Sequence, residues 1–366
     1  MAESKGRHLI EKEKTNKADK PNKADKPNKP RKKRLGLRIA IGVLCVLLVT
    51  VGGAVLFVNA KLNRMQRPTG GFSLFGEIIS SSGNDANLDL DNLEKRESGS
   101  AIPEDDIFKD KDVANILLIG TDMRIPGTQD PGRADGVVIC SLNRKTGEVK
   151  LVGFERSIGM PVPGKEDEIL SYIYQYGGNE FMQESVSNVF RVDLDGYVHV
   201  PYETFTAVID AIGGIDVELT QSEIYRIELF TQYMEDKPDL KPGMNHLTGW
   251  AAYCYCEQRD SDDDWARQGR VRNAIQAIFA KLKTLSLSDL NRMADEVLPL
   301  VETNLTNSQI ASLMLSAPKF AGAEVSQLMV PERDNIWYYE TGRGAFMLGC
   351  DYSVCAKNIR EFLYGS

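Results

Sequence analysis

Apolar and polar positions divide the chain into three regimes. Residues 1–38 hold almost nothing a core could use. Residues 39–60 carry no charged side chain and are rich in Val, Leu and Ile. As a helix, such a run crosses roughly 30 Å of hydrocarbon. From Val113 onward, short apolar runs alternate with turns and with helically spaced stretches, the pattern of a packed domain. Asn115–Gly120 and Val137–Leu142 are continuous apolar runs, as expected for strands covered on both faces. Asn143–Gly147 is a turn and Val149–Phe154 a third strand, so the second and third strands predict a hairpin. Helical spacing follows over Glu180–Phe190, then a strand over Gly196–Val200. A helix over Tyr202–Ile212 is stopped by Gly213 and Gly214. Ile215–Leu219 alternates like a half-buried strand. Leu247–Gly249 opens a helix running into Cys256, and Arg267–Leu285 is a long amphipathic helix. Helices around Leu290–Val301 and Ser308–Ala317, a strand near Val325–Val330 and a terminal helix at Ser353–Leu363 complete the chain. Strands interleaved with helices predict an α/β fold, an α-β-α sandwich around a mixed central sheet, preceded by one transmembrane helix.

Charge sharpens the division. Residues 1–38 carry 14 Lys/Arg against 5 Asp/Glu, a net of +9, which leaves −17 for the rest of a chain whose total is −8. Arg31–Arg34 and Arg38 flank the N-terminal side of the apolar run, which predicts that side to be cytoplasmic. The run and its head are too long for a usual cleaved signal, and no clear small-x-small cleavage site follows. The predicted organisation is therefore a basic disordered tail (1–38), an anchor (39–60), a stalk or linker (61–112) and an extracytoplasmic domain (113–366). The tail repeats Asn16–Pro21 as Asn22–Pro27. It suits attraction to anionic lipid, and it equally suits a role in topology alone. The acidic body argues against broad nucleic-acid binding, which needs a positive surface.

Five of the six cysteines lie beyond the anchor: Cys140, Cys254, Cys256, Cys350 and Cys355. Cys254 and Cys256 alternate as if on one face of a strand. Cys350 and Cys355 are spaced to pair, and buried free thiols are the favoured reading. With three histidines in the chain, no spacing suits structural zinc. There is no Gly-x-Ser-x-Gly, no Gly-Lys-Ser/Thr phosphate loop and no His-Glu-x-x-His. What remains for chemistry is a set of Asp and Arg residues at strand ends and in loops.

Seven runs, in order, carry a resemblance: NILLIGTDMR (115–124), GRAD (132–135), LNRKTGEV (142–149), YGG (176–178), IGGIDV (212–217), LTG (247–249) and DWARQGR (264–270). In these the chain resembles the LytR-CpsA-Psr family of bacterial envelope proteins, best over 113–285. The family has a cytoplasmic tail, one anchor and an outer α/β domain. Its members transfer glycopolymers from a polyprenyl-pyrophosphate carrier to the cell wall with magnesium at the pyrophosphate. The resemblance implies a membrane-anchored phosphotransferase acting between a polyprenyl-pyrophosphate-linked glycopolymer and peptidoglycan. It implies that Asp122 and Asp135 hold Mg2+, and that Arg133, Arg156 and Arg259 clamp the phosphates. Asp264 and Arg267 then lie on the acceptor side, with Arg156, Asp264 and Arg267 taking part in transfer. Guanidinium forks suit phosphate, and carboxylates suit a hard cation. On residue type alone, Asp122 equally suits a turn, Arg133 and Arg156 surface ion pairs, and Asp262–Asp264 a solvated loop.

The chain departs from the family at four places. Glu257 stands where an arginine is usual, Ser157 where an Asp is, Ile169 where a lysine is, and Val271 where a glutamine is. Glu257 reverses a charge beside the anion. These departures support a second reading, a polyprenyl-pyrophosphate-binding sensor or scaffold with weakened catalysis. The direction of the Glu257 carboxylate, into the pocket or away from it, separates the two.

Overall fold

The computed structural model describes residues 57–68, 101–121, 132–232, 237–258, 264–320, 323–341 and 344–365, all within one compact unit, Leu56–Ser366. The predicted anchor lies outside these residues except for 57–60. Among the described residues, no helix is long and apolar enough to cross a membrane.

Strands β1 (Val113–Thr121), β2 (Ala134–Asn143) and β3 (Val149–Phe154) form an antiparallel meander, including the predicted hairpin. The hairpin turn is closed chemically: the Asn143 side chain accepts from the backbone N–H groups of Lys145 (2.9 Å) and Thr146 (3.0 Å). Gly147 beyond it has φ +80°, and a Cβ there would lie 2.6 Å from the Lys319 carbonyl. Two short strands, β4 (Gly159–Met160) and β5 (Glu168–Ile169), pair with each other. Helix α1 then runs Leu170–Phe190. It begins ten residues before the predicted helix, because Gly177 and Gly178 interrupt it with non-helical dihedrals and break the periodicity.

Strand β6 (Gly196–Pro201) pairs parallel to β1, and α2 (Tyr202–Ala211) ends at the predicted glycines. Strand β7 (Ile215–Leu219) has the predicted alternation, but it pairs outside the main sheet with β8 (Gly243–Leu247). Between them lies α3 (Gln221–Thr231), opened by a capping box in which Thr220 and Glu223 serve each other's backbone N–H. Helix α4 (Gly249–Glu257) holds both Cys254 and Cys256, which corrects their placement on a strand. The segment is apolar nearly all round, so helical and alternating patterns look alike.

The remaining elements are α5 (Asp264–Leu282), α6 (Leu287–Val297), β9 (Glu302–Thr303), α7 (Asn307–Phe320), β10 (Val325–Val330), a hairpin of β11 (Trp337–Glu340) and β12 (Phe346–Gly349), and α8 (Tyr352–Tyr364). The central sheet is mixed, in the order β10-β3-β2-β1-β6-β9. Alternation sends Leu117, Ile119, Val137, Ile139, Val152 and Phe154 to one face, against α1 and α8. It sends Ile116, Val138, Cys140 and Leu151 to the other face, against α5 and α7. A separate cluster joins the β7–β8 pair to α2, α3 and α4. The five cysteines beyond the predicted anchor are buried thiols outside any disulfide.

Candidate active site

A cavity of about 270 Å³ lies between the sheet and helices α2, α4 and α5. Leu118, Val138 and Val200 form its floor; Phe205, Val208 and Tyr253 one wall; Val271, Ile275, Ile278 and Phe279 the other. Gly120 and Gly136 face each other across β1 and β2, so no side chain fills the space above them. Cys256 also lines the cavity, and burial pushes its thiol up to about 12, so it stays protonated.

The cavity's charged lining is one mutually contacting group. Asp135 near the start of β2 is buried and accepts from Arg156 Nη1 at 2.9 Å. Its second oxygen is 3.7 Å from Arg267 Nη2, and the same nitrogen donates to Glu257 Oε1 at 3.2 Å. Arg267, only 1% exposed, thus bridges two carboxylates, as a buried cation must be paired to remain charged. Gln268 Nε2 donates to the Asp135 carbonyl at 3.0 Å, fixing α5 to the strand. Arg156 is presented by a turn that its neighbours close. The buried Glu155 carboxylate accepts from both the N–H and the hydroxyl of Ser157, each at 2.6 Å. Arg133 sits two residues before Asp135, with its guanidinium over the Tyr172 ring and 3.3 Å from the Tyr172 hydroxyl.

Of the residues the sequence nominates, the fold brings Asp135, Arg156 and Arg267 together and lays Arg133 on α1. Asp122 and Arg259 lie outside the described residues. Asp264 opens α5 by its backbone, and its side chain lies outside them as well. Glu257 points into the cavity, where Arg267 receives it. Val271 lines the cavity wall, and Ile169 precedes α1. Sequence reasoning did not single out Tyr172, Gln268 or Arg270. Arg270 Nη2 donates to the Gln258 carbonyl at 2.6 Å, and Gln258 Nε2 donates to the Glu223 carbonyl at 3.1 Å. Together they tie the C-terminal end of α4, and so Glu257, to α3 and α5. The available signal was the three-residue spacing of Arg267 and Arg270, which shares one helix face.

The end of β1 is pinned by the neighbouring strands β6 and β9. Thr121 Oγ1 is 3.0 Å from His199 Nε2, and His199 Nδ1 is 3.5 Å from Glu302 Oε2. Glu302 also accepts from Asn179 at 2.9 Å and from the Tyr197 hydroxyl at 3.3 Å. The His199 hydrogen bond, helped by these donors, holds the Glu302 carboxyl below its ordinary range.

An apolar cavity bordered by one acid–guanidinium group has the chemistry to take an apolar chain with an anionic head. Residues 77–347 match the LytR_cpsA_psr family, and the chain belongs to it. Among its relatives is the polyisoprenyl-teichoic acid–peptidoglycan teichoic acid transferase TagU of Bacillus anthracis. The two are 27% identical over 254 residues, covering 67% of this chain and 79% of that protein. The TagU of Oceanobacillus iheyensis is 24% identical over 313 residues, covering 81% and 87%. The fold is similar to that of TagT solved with LIIa-WTA bound, at a TM-score of 0.56 and 22% identity, covering 74% of this chain and 96% of that one. It is also similar to TagT (YwtF) with bound octaprenyl pyrophosphate lipid, at 0.53 and 20%, covering 73% and 97%.

Proposed function

We propose that this protein is a membrane-anchored phosphotransferase. In this reading it moves a glycopolymer of teichoic acid or capsular type from a polyprenyl-pyrophosphate carrier to a hydroxyl of peptidoglycan. The observation that carries the reading is the joining of an apolar cavity to the Asp135–Arg156–Arg267 group. The prenyl chain takes the cavity, and the pyrophosphate meets the guanidinium groups.

In the transfer, the acceptor oxygen bonds to the glycan-side phosphorus. The bond from that phosphorus to the bridging oxygen breaks, and polyprenyl phosphate leaves. Asp264 is the residue assigned to take the acceptor proton. Arg156 and Arg267 neutralise phosphate charge, and both are oriented before substrate arrives, because each already holds Asp135. The stacked Arg133 adds a third guanidinium.

The donor set suits magnesium in kind, since Asp135 is a carboxylate with lone pairs beyond those its two guanidinium partners use. Among the described residues, no group of three metal-ligating side chains gathers, so the site needs Asp122 as its second ligand. A bound Mg2+ would lower the negative charge of the pyrophosphate and of the leaving phosphate. The anchor at residues 39–60, with the domain on the outer face, puts the cavity on the side where wall acceptors are found.

One observation favours the second reading, a lipid-pyrophosphate sensor or scaffold: the Glu257 carboxylate occupies Arg267 from within the cavity. Incubating the full chain with polyprenyl-pyrophosphate-linked glycan, wall acceptor and magnesium decides between them. Transfer that is lost in Asp135→Ala and in chelator supports the enzyme. Tight lipid binding without transfer supports the sensor.

A further inference from the structure

Residues 57–68 comprise the last four residues of the apolar run and the eight that follow it, and they are docked on the domain. Residues 57–62 are helical, and Leu62 is buried. Lys61 and Arg64 both contact the Asp295 carboxylate of α6. Gln66 adds a backbone ladder: its N–H donates to the Val301 carbonyl at 2.9 Å, and its carbonyl accepts from Thr303 N–H at 3.2 Å. Arg67 donates to the Thr303 carbonyl at 3.2 Å and to the Asn307 side chain at 2.6 Å. Asn307, the first residue of α7, donates to the side chains of Asn59 and Asn63 at 2.7 Å each. The start of α7 is therefore tied to residues on both sides of the predicted membrane exit at Ala60.

Helix α7 is unusual for this chain. The protein beyond residue 38 has a net charge of −17, yet the 14 residues of α7 include no Asp or Glu and one cation, Lys319. Its outer face shows Leu315, 85% exposed, and Met314, 52% exposed. Those two lie about 10–12 Å along the helix from Asn307 at its ordinary rise. Leu300, just before the ladder, and Phe57 are also exposed. The inner face packs Ile310 and Leu313 into the cluster that holds Ile275 and Phe279, the residues of the cavity wall.

We propose that the outer face of α7, with Met314 and Leu315, is seated in the outer leaflet of the membrane beside the anchor. The inference rests on the anchored reading given above. A helix showing apolar side chains, carrying no carboxylate to be repelled by lipid phosphate and tethered at the bilayer surface fits an interfacial lie. Met314 and Leu315 are adjacent on this acid-free face, so together they present one apolar surface to the leaflet. The placement sets the leaflet against the outside of the layer whose inner side lines the cavity. A prenyl chain leaving the leaflet then has a short path to its pocket.

The test uses the full chain reconstituted in phosphatidylcholine–phosphatidylglycerol vesicles whose lipids are brominated on the acyl chains. An environment-sensitive fluorophore is placed at Leu315→Cys. A comparison site is Met244→Cys on β8, itself 71% exposed. The five described cysteines are buried, and the unsubstituted chain, which also carries Cys45, gives the labelling background. The expected result is several-fold stronger quenching at 315 than at 244, independent of protein density in the bilayer. Equal quenching in a chain that stays in carbonate-washed vesicles would overturn the seating and leave the anchor standing. Protection at 315 that appears only at high protein density would assign the face to a second copy and also overturn it. Loss of the chain from washed vesicles would remove the anchor, and this inference with it.

Discussion

Glu257→Gln removes one negative charge from the cavity while keeping the side chain's shape. In the native protein the Glu257 carboxylate is 3.2 Å from Arg267 Nη2. A pyrophosphate oxygen accepting from the same guanidinium would sit about 6 Å from that carboxylate, given an ordinary hydrogen-bond length. At that separation each unit of phosphate charge is repelled by about 3 kcal/mol at an effective dielectric of 20, and by about 0.7 kcal/mol at that of water. The Glu257 side chain is a quarter exposed, so the true value falls between these limits. Removing the charge should tighten binding of a prenyl pyrophosphate by a factor of about 3 to 100. Arg267 does not become an unpaired buried cation in the variant, because Asp135 still stands 3.7 Å away. Titration calorimetry with farnesyl pyrophosphate in metal-free buffer, on wild type and variant side by side, reads the effect. Inorganic pyrophosphate should gain by a similar factor. Unchanged or weaker binding in Glu257→Gln would refute the placement of the anion at Arg267. It would also undo the claim that Glu257 opposes it.

Four further outcomes are expected. Arg156→Ala leaves buried Asp135 with one distant guanidinium, so it should lose transfer and lower the unfolding free energy by up to about 3–5 kcal/mol, read by urea titration. Ile275→Trp should fill part of the 270 Å³ cavity and abolish binding of long prenyl pyrophosphates, with the melting temperature little changed. Glu302 has a folded pKa held below its ordinary 4.5, so its stabilising contribution is present above that value and is lost as pH falls through the folded value. Glu302→Gln should therefore flatten the decline in melting temperature as pH falls below the ordinary value of 4.5. Removal of divalent cations by chelator should abolish transfer, and magnesium should restore it, in an assay of glycan release from the lipid carrier.

Most of the fold was legible because its strands are short, apolar and separated by strong turns. The runs at Asn115–Gly120, Val137–Leu142 and Val149–Phe154 read directly as strands, and the last two as the hairpin they form; the pairing of the first with the second came from the structure. Illegible parts had physical reasons. Cys254 and Cys256 sit in a helix buried on most sides, which leaves no polar stripe to betray its period. The first half of α1 is hidden by the Gly177–Gly178 interruption. Trp337–Glu340 is mostly exposed and Phe346–Gly349 is buried beyond its first residue, so neither strand alternates. The capping box at Thr220 and Glu223 was present in the sequence as its usual spacing and could have announced α3. For the candidate site, residue type and spacing could not unite Asp135 with Arg267, since 132 positions separate them. The ordered motifs of the family supplied that link. Tyr172 belongs to no motif, and Gln268 lies within the DWARQGR run without being marked by it; the role of each emerges only from the packing of α1 and α5 on β2.

The group at the cavity has a charge balance that bears on what it can hold. Asp135 and Glu257 carry two negative charges, and Arg156 and Arg267 two positive ones. These four groups together present no net positive charge to a pyrophosphate. In a chain with Arg at position 257, the same four positions would sum to +2. The deficit must be met from elsewhere, and the candidates differ in kind. Arg133 is close in sequence to Asp135, but it is engaged with Tyr172, so recruiting it breaks a stacking contact. Under the proposed reading, a divalent cation held by the carboxylates would meet the deficit and make Asp135 and Glu257 ligands or neighbours of a ligand. Glu257 would then weaken the site for a bare anion and favour an anion accompanied by metal. On the same reading, Glu257 would shift dependence from guanidinium charge toward the cation and would be compatible with transfer.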